Sequence, residues 1–319
     1  MPALRVHVMF GPQADDVAGR LRAHDATGLL TVVAVEQPGP AALVIATGRS
    51  PATHAVADVV LDGDLPLPPQ VDQLWSERLA PFARTMAGIL PFESGPPVLR
   101  PHDRGCRRGA ERLLGRMRES LTGLGLDDGR WTYDHIGSTS VPGLLAKPII
   151  DLQIGAVPLP EEGSPADDVL AGIGYLPTRG SRPDSPGVYR DEVKDPDLAP
   201  ADAYRKRLYV RPDPGLPAVL HVRQLGCPWW SYTVQFRDWL RTSPANRRAY
   251  EAMKQQAAAA HAHDVDYDDY TRAKGAFFER NQFGTSESTA RKDGAERAAR
   301  DNAPGAAIAL AAATPSVRG

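Results

Sequence analysis

The residues best suited to chemistry lie in one run, Asp134-His135-Ile136-Gly137-Ser138-Thr139-Ser140-Val141-Pro142-Gly143, followed by Lys147-Pro148-Ile149-Ile150-Asp151-Leu152-Gln153. Residues 131–136 and 148–154 read as strands, with Gly137 and Ser138 turning the chain at the end of the first. Glycine permits close approach, and Ser138 and Thr139 add hydroxyls and N–H groups at the start of a short helix, so the turn can hold phosphate oxygens. The hydroxyls of residues 138–140 equally suit simple capping. Strand alternation puts Ile149, Asp151 and Gln153 on one face and Ile150, Leu152 and Ile154 on the other. The aliphatic face must be core, so Asp151 faces the ligand side. A carboxylate beside bound phosphates is the usual way to hold Mg²⁺. Lys147 can contact phosphate or cap a helix end. His135 reads as a core histidine satisfied by backbone.

The positioning elements follow from hydrophobic periodicity. Ala110, Leu113, Leu114, Met117, Leu121 and Leu124 predict a helix with one apolar face. Its other face carries Arg107, Arg108, Arg112, Arg116 and Arg118, and reads as solvated. Residues 205–210 and 218–224 predict a hairpin across Arg211-Pro212-Asp213-Pro214-Gly215. Tyr232, Phe236, Trp239 and Leu240 mark a helix, Ser243-Pro244 caps the next, and Tyr270, Ala273, Lys274 and Phe277 lie on a last one. Upstream, residues 29–35, 43–47 and 59–61 read as strands, and Val71, Leu74, Trp75, Arg78 and Leu79 fall at helical spacing.

Composition bounds the class. The 319 residues, 24% charged and 42% hydrophobic, suit a globular chain of about two domains. The 29 glycines and 30 prolines make it loop-rich, below the roughly 25–30% that marks low complexity. A net charge of −2 argues against a polyanion partner, so nucleic acid is not expected. No window carries the roughly 18 apolar residues of a membrane helix. Cys106 and Cys227 form neither a disulfide framework nor a Cys-x-x-Cys pattern, which points to a reduced, cytoplasmic protein. Composition shifts divide the chain into residues 1–90, a linker at 91–97, residues 98–285, and a disordered Ala/Gly/Arg-rich tail at 286–319.

The run His-Ile-Gly-Ser-Thr-Ser-Val-Pro-Gly-Leu with Ala-Lys-Pro-Ile-Ile-Asp-Leu resembles the GrpB-like family, whose fold is related to the nucleotidyltransferases. The resemblance extends over residues 98–283, from Val98-Leu99-Arg100-Pro101-His102-Asp103 to Tyr270-Thr271-Arg272-Ala273-Lys274. It implies an α/β (α+β) domain, a nucleotidyltransferase-like mixed sheet with flanking helices. It also implies that Gly137, Ser138, Thr139 and Lys147 hold a nucleotide triphosphate or other phosphorylated ligand. Asp151 would hold Mg²⁺, and His221 would act as base or anion contact. Nucleotidyl transfer with two metals needs an Asp-x-Asp pair and a third carboxylate, but Gln153 is neutral and residues 219–222 carry no acid. One Mg²⁺ remains the expectation. Arg205, Lys206 and Arg207 would add charge, and Asp134, Glu192 and Asp195 are spare carboxylates.

Residues 57–63 with 70–82 resemble the C-terminal end of dephospho-CoA kinase, which actinobacterial proteins fuse ahead of a GrpB-like domain. That implies a truncated P-loop-kinase-like α/β fragment. The chain contains no G-x-x-x-x-G-K-S/T, whose N–H groups and lysine bind ATP phosphates. Kinase activity in coenzyme A biosynthesis is therefore disfavoured. A non-catalytic accessory or folding partner of dephospho-CoA kinase is the alternative reading.

Overall fold

Short aliphatic runs organise the N-terminal part around a parallel sheet. In the computed structural model, which describes residues 3–280 apart from 10, 12, 49–54, 181, 184, 186 and 194–197, strands β1 (Leu4–Met9), β2 (Leu30–Val35), β3 (Leu43–Thr47) and β4 (Val59–Leu61) pair in the order β2-β1-β3-β4. The predicted strands at 29–35, 43–47 and 59–61 are present. The central strand β1 is an addition, as is helix α1 (Ala14–His24), which buries Val17, Ala18 and Leu21 on the sheet. Arg5 and His7 interrupt the apolar run of β1 and mask it in sequence. Helix α2 (Leu67–Leu74) continues through a π-turn at Trp75–Leu79 into α3 (Ala80–Met86) and buries Val71, Leu74, Leu79 and Phe82.

The second sheet has the order β5-β6-β9-β8-β7. Strands β5 (Thr132–Ile136), β6 (Ile150–Ala156), β8 (Lys206–Arg211) and β9 (Ala218–Gln224) match the sequence expectation, and β7 (Leu176–Pro177) is a short addition. Only β6 and β9 pair in parallel. The two faces differ in chemistry. Ile150, Leu152, Ile154, Leu220 and Val222 form one core with Leu113, Met117 and Leu121 of α4 (Gly105–Gly123) and Leu170 of α5 (Pro165–Gly172). The opposite face carries Asp151, Gln153, His221 and Arg223. Helices α6 (Pro228–Thr242) and α7 (Pro244–Ala260) flank this domain, followed by α8 (Asp268–Ala273) and α9 (Gly275–Arg280). Phe236 joins them through ring contacts with Trp239, Tyr250, Phe277 and Phe278. Ser243 caps α7 by accepting from the Asn246 N–H, as its sequence position predicts. Cys227, without a role in the sequence reading, caps α6 through its sulfur.

The arginine-rich face of α4 is not simply solvated. Arg112 and Arg116 reach Asp58 of the N-terminal part, at 3.2 Å and 2.7 Å. The Asp58 side chain is fully buried and also accepts from the Val44 N–H. The hairpin turn is likewise interior. Arg211 and Asp213 are fully buried and paired at 2.8 Å, and Arg78 joins Asp213 through two bonds of 2.7 and 2.8 Å. Arg211 also donates to the Ala42 carbonyl and stacks on Phe82. Gly215 must be small, since a Cβ there would stand 2.5 Å from the Arg78 guanidinium. The physical reason is proximity that no local pattern reveals: Asp58, the α2–α3 segment and the Ala42 carbonyl meet α4 and the hairpin turn at a seam where Arg78, Arg112, Arg116 and Arg211 each find a carboxylate. Residues Met1–Asn281 accordingly form one compact unit. The expected tail at 286–319 lies outside the described residues.

This seam makes two predictions. Asp58→Ala strands two guanidinium groups in the interior and should lower stability by about 3–5 kcal/mol, read as a lower urea midpoint. Burial would raise the Asp213 carboxyl, but Arg211 and Arg78 hold it down at about 2. Its folded value lies below its unfolded value, so its contribution is present above about pH 4 and is lost as pH falls towards 2. Acid titration of unfolding should show a loss in that window that Asp213→Asn lacks.

Candidate functional site

Strand β5 ends at Gly137, which adopts φ 69°, ψ −169° before a short 3₁₀ turn at Ser138–Ser140. Only glycine fits. The conformation is left-handed in φ, and a Cβ would lie 2.3 Å from Asp151 Oδ2. The open side of Gly137 is thus filled by the Asp151 carboxylate, not left for a phosphate oxygen. The Ser140 hydroxyl closes the turn on the Gly137 carbonyl at 2.6 Å.

The sequence-predicted residues separate at this turn. Ser138 points to the polar side, where its Oγ accepts from Lys254 Nζ at 3.0 Å. Thr139 is buried and bonds His135 Nε2 at 3.0 Å, so it serves the turn and does not join Asp151. Lys147 returns to the site, its Nζ lying 3.2 Å from the centre of the Tyr267 ring. Lys254 also donates to the Leu145 carbonyl, and Lys274 lies over Tyr270 at 4.7 Å.

The electrostatics are those of crowded cations. Burial pushes the Asp151 carboxyl up, against the pull of Lys147, Lys274, Lys254 and Arg223. Burial and then the neighbouring Lys274 bring Lys147 and Lys254 down to about 7. Burial lowers Lys274 as well. Periodicity carried a trace of this arrangement: Tyr250, Lys254 and Ala257 recur at helical spacing on the buried face of α7, and Tyr270 and Lys274 are four residues apart. A lysine on an apolar face is the sign that sequence reasoning passed over.

His221 lies beside a second buried group. Asp191 accepts from Lys206 at 2.8 Å and from Arg223 at 2.6 Å. Lys206 Nζ lies 3.2 Å from His221 Nδ1. Burial, Lys206 and Arg223 hold His221 far below its usual value, so the ring is neutral. With Nδ1 accepting from Lys206, the ring proton belongs on Nε2, which makes His221 a donor better than a base. Gln153, at the place of the second carboxylate, accepts from Arg223 at 2.7 Å and donates to the Trp230 carbonyl. Arg205 and Arg207 turn away to Glu161 and Asp167. Asp134 pairs with Arg237, Glu192 is exposed, and Asp195 lies outside the described residues.

As a Mg²⁺ site this donor set fits poorly. Asp151 stands beside three lysines, Asp268 and Glu251 act on Lys147 and Lys254, and among the described residues Asp134 and Asp191 are already paired with cations. Clefts of about 460 and 470 Å³ along the seam share no residue with this cluster.

Residues 96–282 match the family described as GrpB protein. The chain belongs to the GrpB family. Among GrpB relatives, a UPF0157 protein of Streptomyces coelicolor is 32% identical over 167 residues, 52% of this chain and 74% of that one. A protein named dephospho-CoA kinase from Mycolicibacterium paratuberculosis is 30% identical over 261 residues, 76% of this chain and 61% of that one. Another from Mycobacterium tuberculosis is matched over 56% of its length, so the chain spans little more than half of these curated relatives. The crystal structure of conserved protein GrpB from Enterococcus faecalis covers 57% of this chain and 93% of that one, at 23% identity and a TM-score of 0.39, too low to carry an argument. Among the described residues, no helix is long and apolar enough to cross a membrane.

Gly137→Ala should test the turn. Left-handed strain and the clash with Asp151 together should cost about 1–3 kcal/mol or more, read as a lower denaturation midpoint.

Proposed function

We propose that the polar face of the GrpB sheet binds the phosphate of a nucleotide or another phosphorylated small molecule. The observation that carries this reading is the gathering of Lys147, Lys254 and Lys274 beside Asp151, with Lys254 held by Ser138 Oγ, Lys147 set on the Tyr267 ring and Lys274 on that of Tyr270; Asp268 and Glu251 are further counter-charges to Lys147 and Lys254. Burial disfavours the charged form of all three lysines, and an arriving anion would offset that cost. Ser138 Oγ and the Nε2–H of His221 add hydrogen-bonding groups beside the cluster. Lys206 and Arg223, neutralised in part by Asp191, extend the positive field. The residues support binding; nucleotidyl transfer would need carboxylates that this face lacks.

The test is calorimetric titration with AMP, ATP and inorganic phosphate. Lys147→Met should weaken binding about tenfold, the worth of one charge-assisted contact. Lys147 and Lys254 are charged below about 7 and neutral above it, so affinity should fall as pH rises from 7 to 9. Equal, negligible heats from wild type and variant with all three probes would sink the reading.

A second reading, an accessory partner of dephospho-CoA kinase, is favoured by the match to proteins of that name, which extends beyond the GrpB segment. A co-elution shift with a genuine dephospho-CoA kinase is its test. The chain itself should release no ADP from ATP and dephospho-CoA, because it has no phosphate loop. Turnover abolished by a point change in this chain would overturn that expectation.

A further inference from the structure

On the sheet face that carries Asp151, a second polar group is buried to different depths. Lys206, Arg223, Asp191 and Gln153 are buried, whereas His221 is half-buried, so its imidazole is the exposed tip of a buried network. Lys206 Nζ stands 3.2 Å from His221 Nδ1, and Arg223 Nη2 stands 3.4 Å from it. One carboxylate seats both cations: Asp191 accepts from Lys206 at 2.8 Å and from Arg223 at 2.6 and 3.1 Å. Gln153 holds Arg223 further, at 2.7 Å. The backbone brings these groups together, since the Asp191 N–H donates to the Tyr204 carbonyl and the Lys206 N–H to the Tyr189 carbonyl. Gly187 packs so closely that a Cβ there would lie 3.0 Å from Lys206 Nζ, which leaves the ammonium little room to swing away.

An ammonium and a guanidinium carry donors and no lone pair. Nδ1 can meet them only as an acceptor, and a neutral ring then has its proton on Nε2. The hydrogen bonds of the His221 ring to the described residues are all made by Nδ1. We propose that Lys206, seated by Asp191, is a positioning residue that locks His221 in its Nε2–H form and makes it a donor to an oxygen of the bound molecule. For the identity of that oxygen, a phosphate oxygen, this rests on the phosphate-binding reading above. The same lock denies His221 two other tasks. A general base needs a bare Nε2, and a metal ion needs its lone pair. The charged groups that face the ring are Lys206 from β8, Arg223 from β9, Asp191 from the connection between β7 and β8, and Lys274 from the end of α8. Burial and the three cations favour the neutral ring against the pull of Asp191.

The experiment is heteronuclear NMR of the histidine ring nitrogens in the full chain. Among the eight histidines, His221 is assigned by the signal lost in His221→Gln. Spectra are taken between about pH 6 and 7, where Lys206, brought down by burial to about 8, still carries its charge. His221 should show a protonated Nε2 and a bare Nδ1 throughout, while an ordinary histidine gains a second proton. Lys206→Met should lose that single pattern, with protonation appearing at Nδ1; a merely structural ion pair would lower stability and leave the ring signals in place. Inorganic phosphate should shift the Nε2 signal. A proton on Nδ1 with a bare Nε2, a doubly protonated ring, or a folded Lys206→Met with an unchanged spectrum would overturn the inference and leave phosphate binding standing. Calorimetric binding of phosphate without a shift at Nε2 would overturn the donor role. Absence of phosphate binding would overturn the phosphate reading and with it the oxygen assigned here, while the spectrum of the free wild-type chain still decides the lock, even if the variant fails to fold.

Discussion

Burying a cation demands a counter-charge, and the molecule meets that demand in two places in opposite ways. At the seam between the sheets the books are balanced: Asp58 and Asp213 answer Arg78, Arg112, Arg116 and Arg211 with carboxylates that are themselves fully buried. Around Asp151 three lysines gather, and burial lowers all three. The first arrangement is complete without any other molecule. The second leaves its lysines lowered by burial, and the proposed phosphate binding rests on that difference.

The balanced seam explains why the N-terminal part is more than an appendage. Its phosphate loop is missing, yet its sheet and its α2–α3 segment supply Asp58, Arg78, Phe82 and the Ala42 carbonyl to the GrpB domain's hairpin turn and α4. The hairpin that carries His221 on β9 and Lys206 on β8 ends in this seam. The N-terminal part thus anchors the hairpin turn, beside which Ile150 and Asp151 pair with Ala218 and Val219.

Much of the fold was legible. The strands β2, β3, β5, β6, β8 and β9 and the helices α4, α6 and α7 follow from aliphatic runs, period and capping, because those signals are local. Strand β1 escaped because Arg5 and His7 interrupt it, although all but Arg5 and Met9 are buried. The site was half legible. Gly137, Ser138, Lys147 and Asp151 do meet, but Thr139 turns inward to His135. Lys254 of α7 and Lys274 at the end of α8 join from about 116 and 136 residues beyond Ser138, a distance at which spacing carries no information.

Residue order alone establishes the family, the strand-turn-strand that carries Asp151, and the absence of a phosphate loop, since each is written in a contiguous motif. Tertiary structure alone decides what those residues are for. Whether an aspartate holds a metal or balances lysines, and whether an arginine meets water or a buried carboxylate, depends on the charges brought alongside it. Coulomb energy varies with distance in space and with burial, and neither is a property of neighbouring letters.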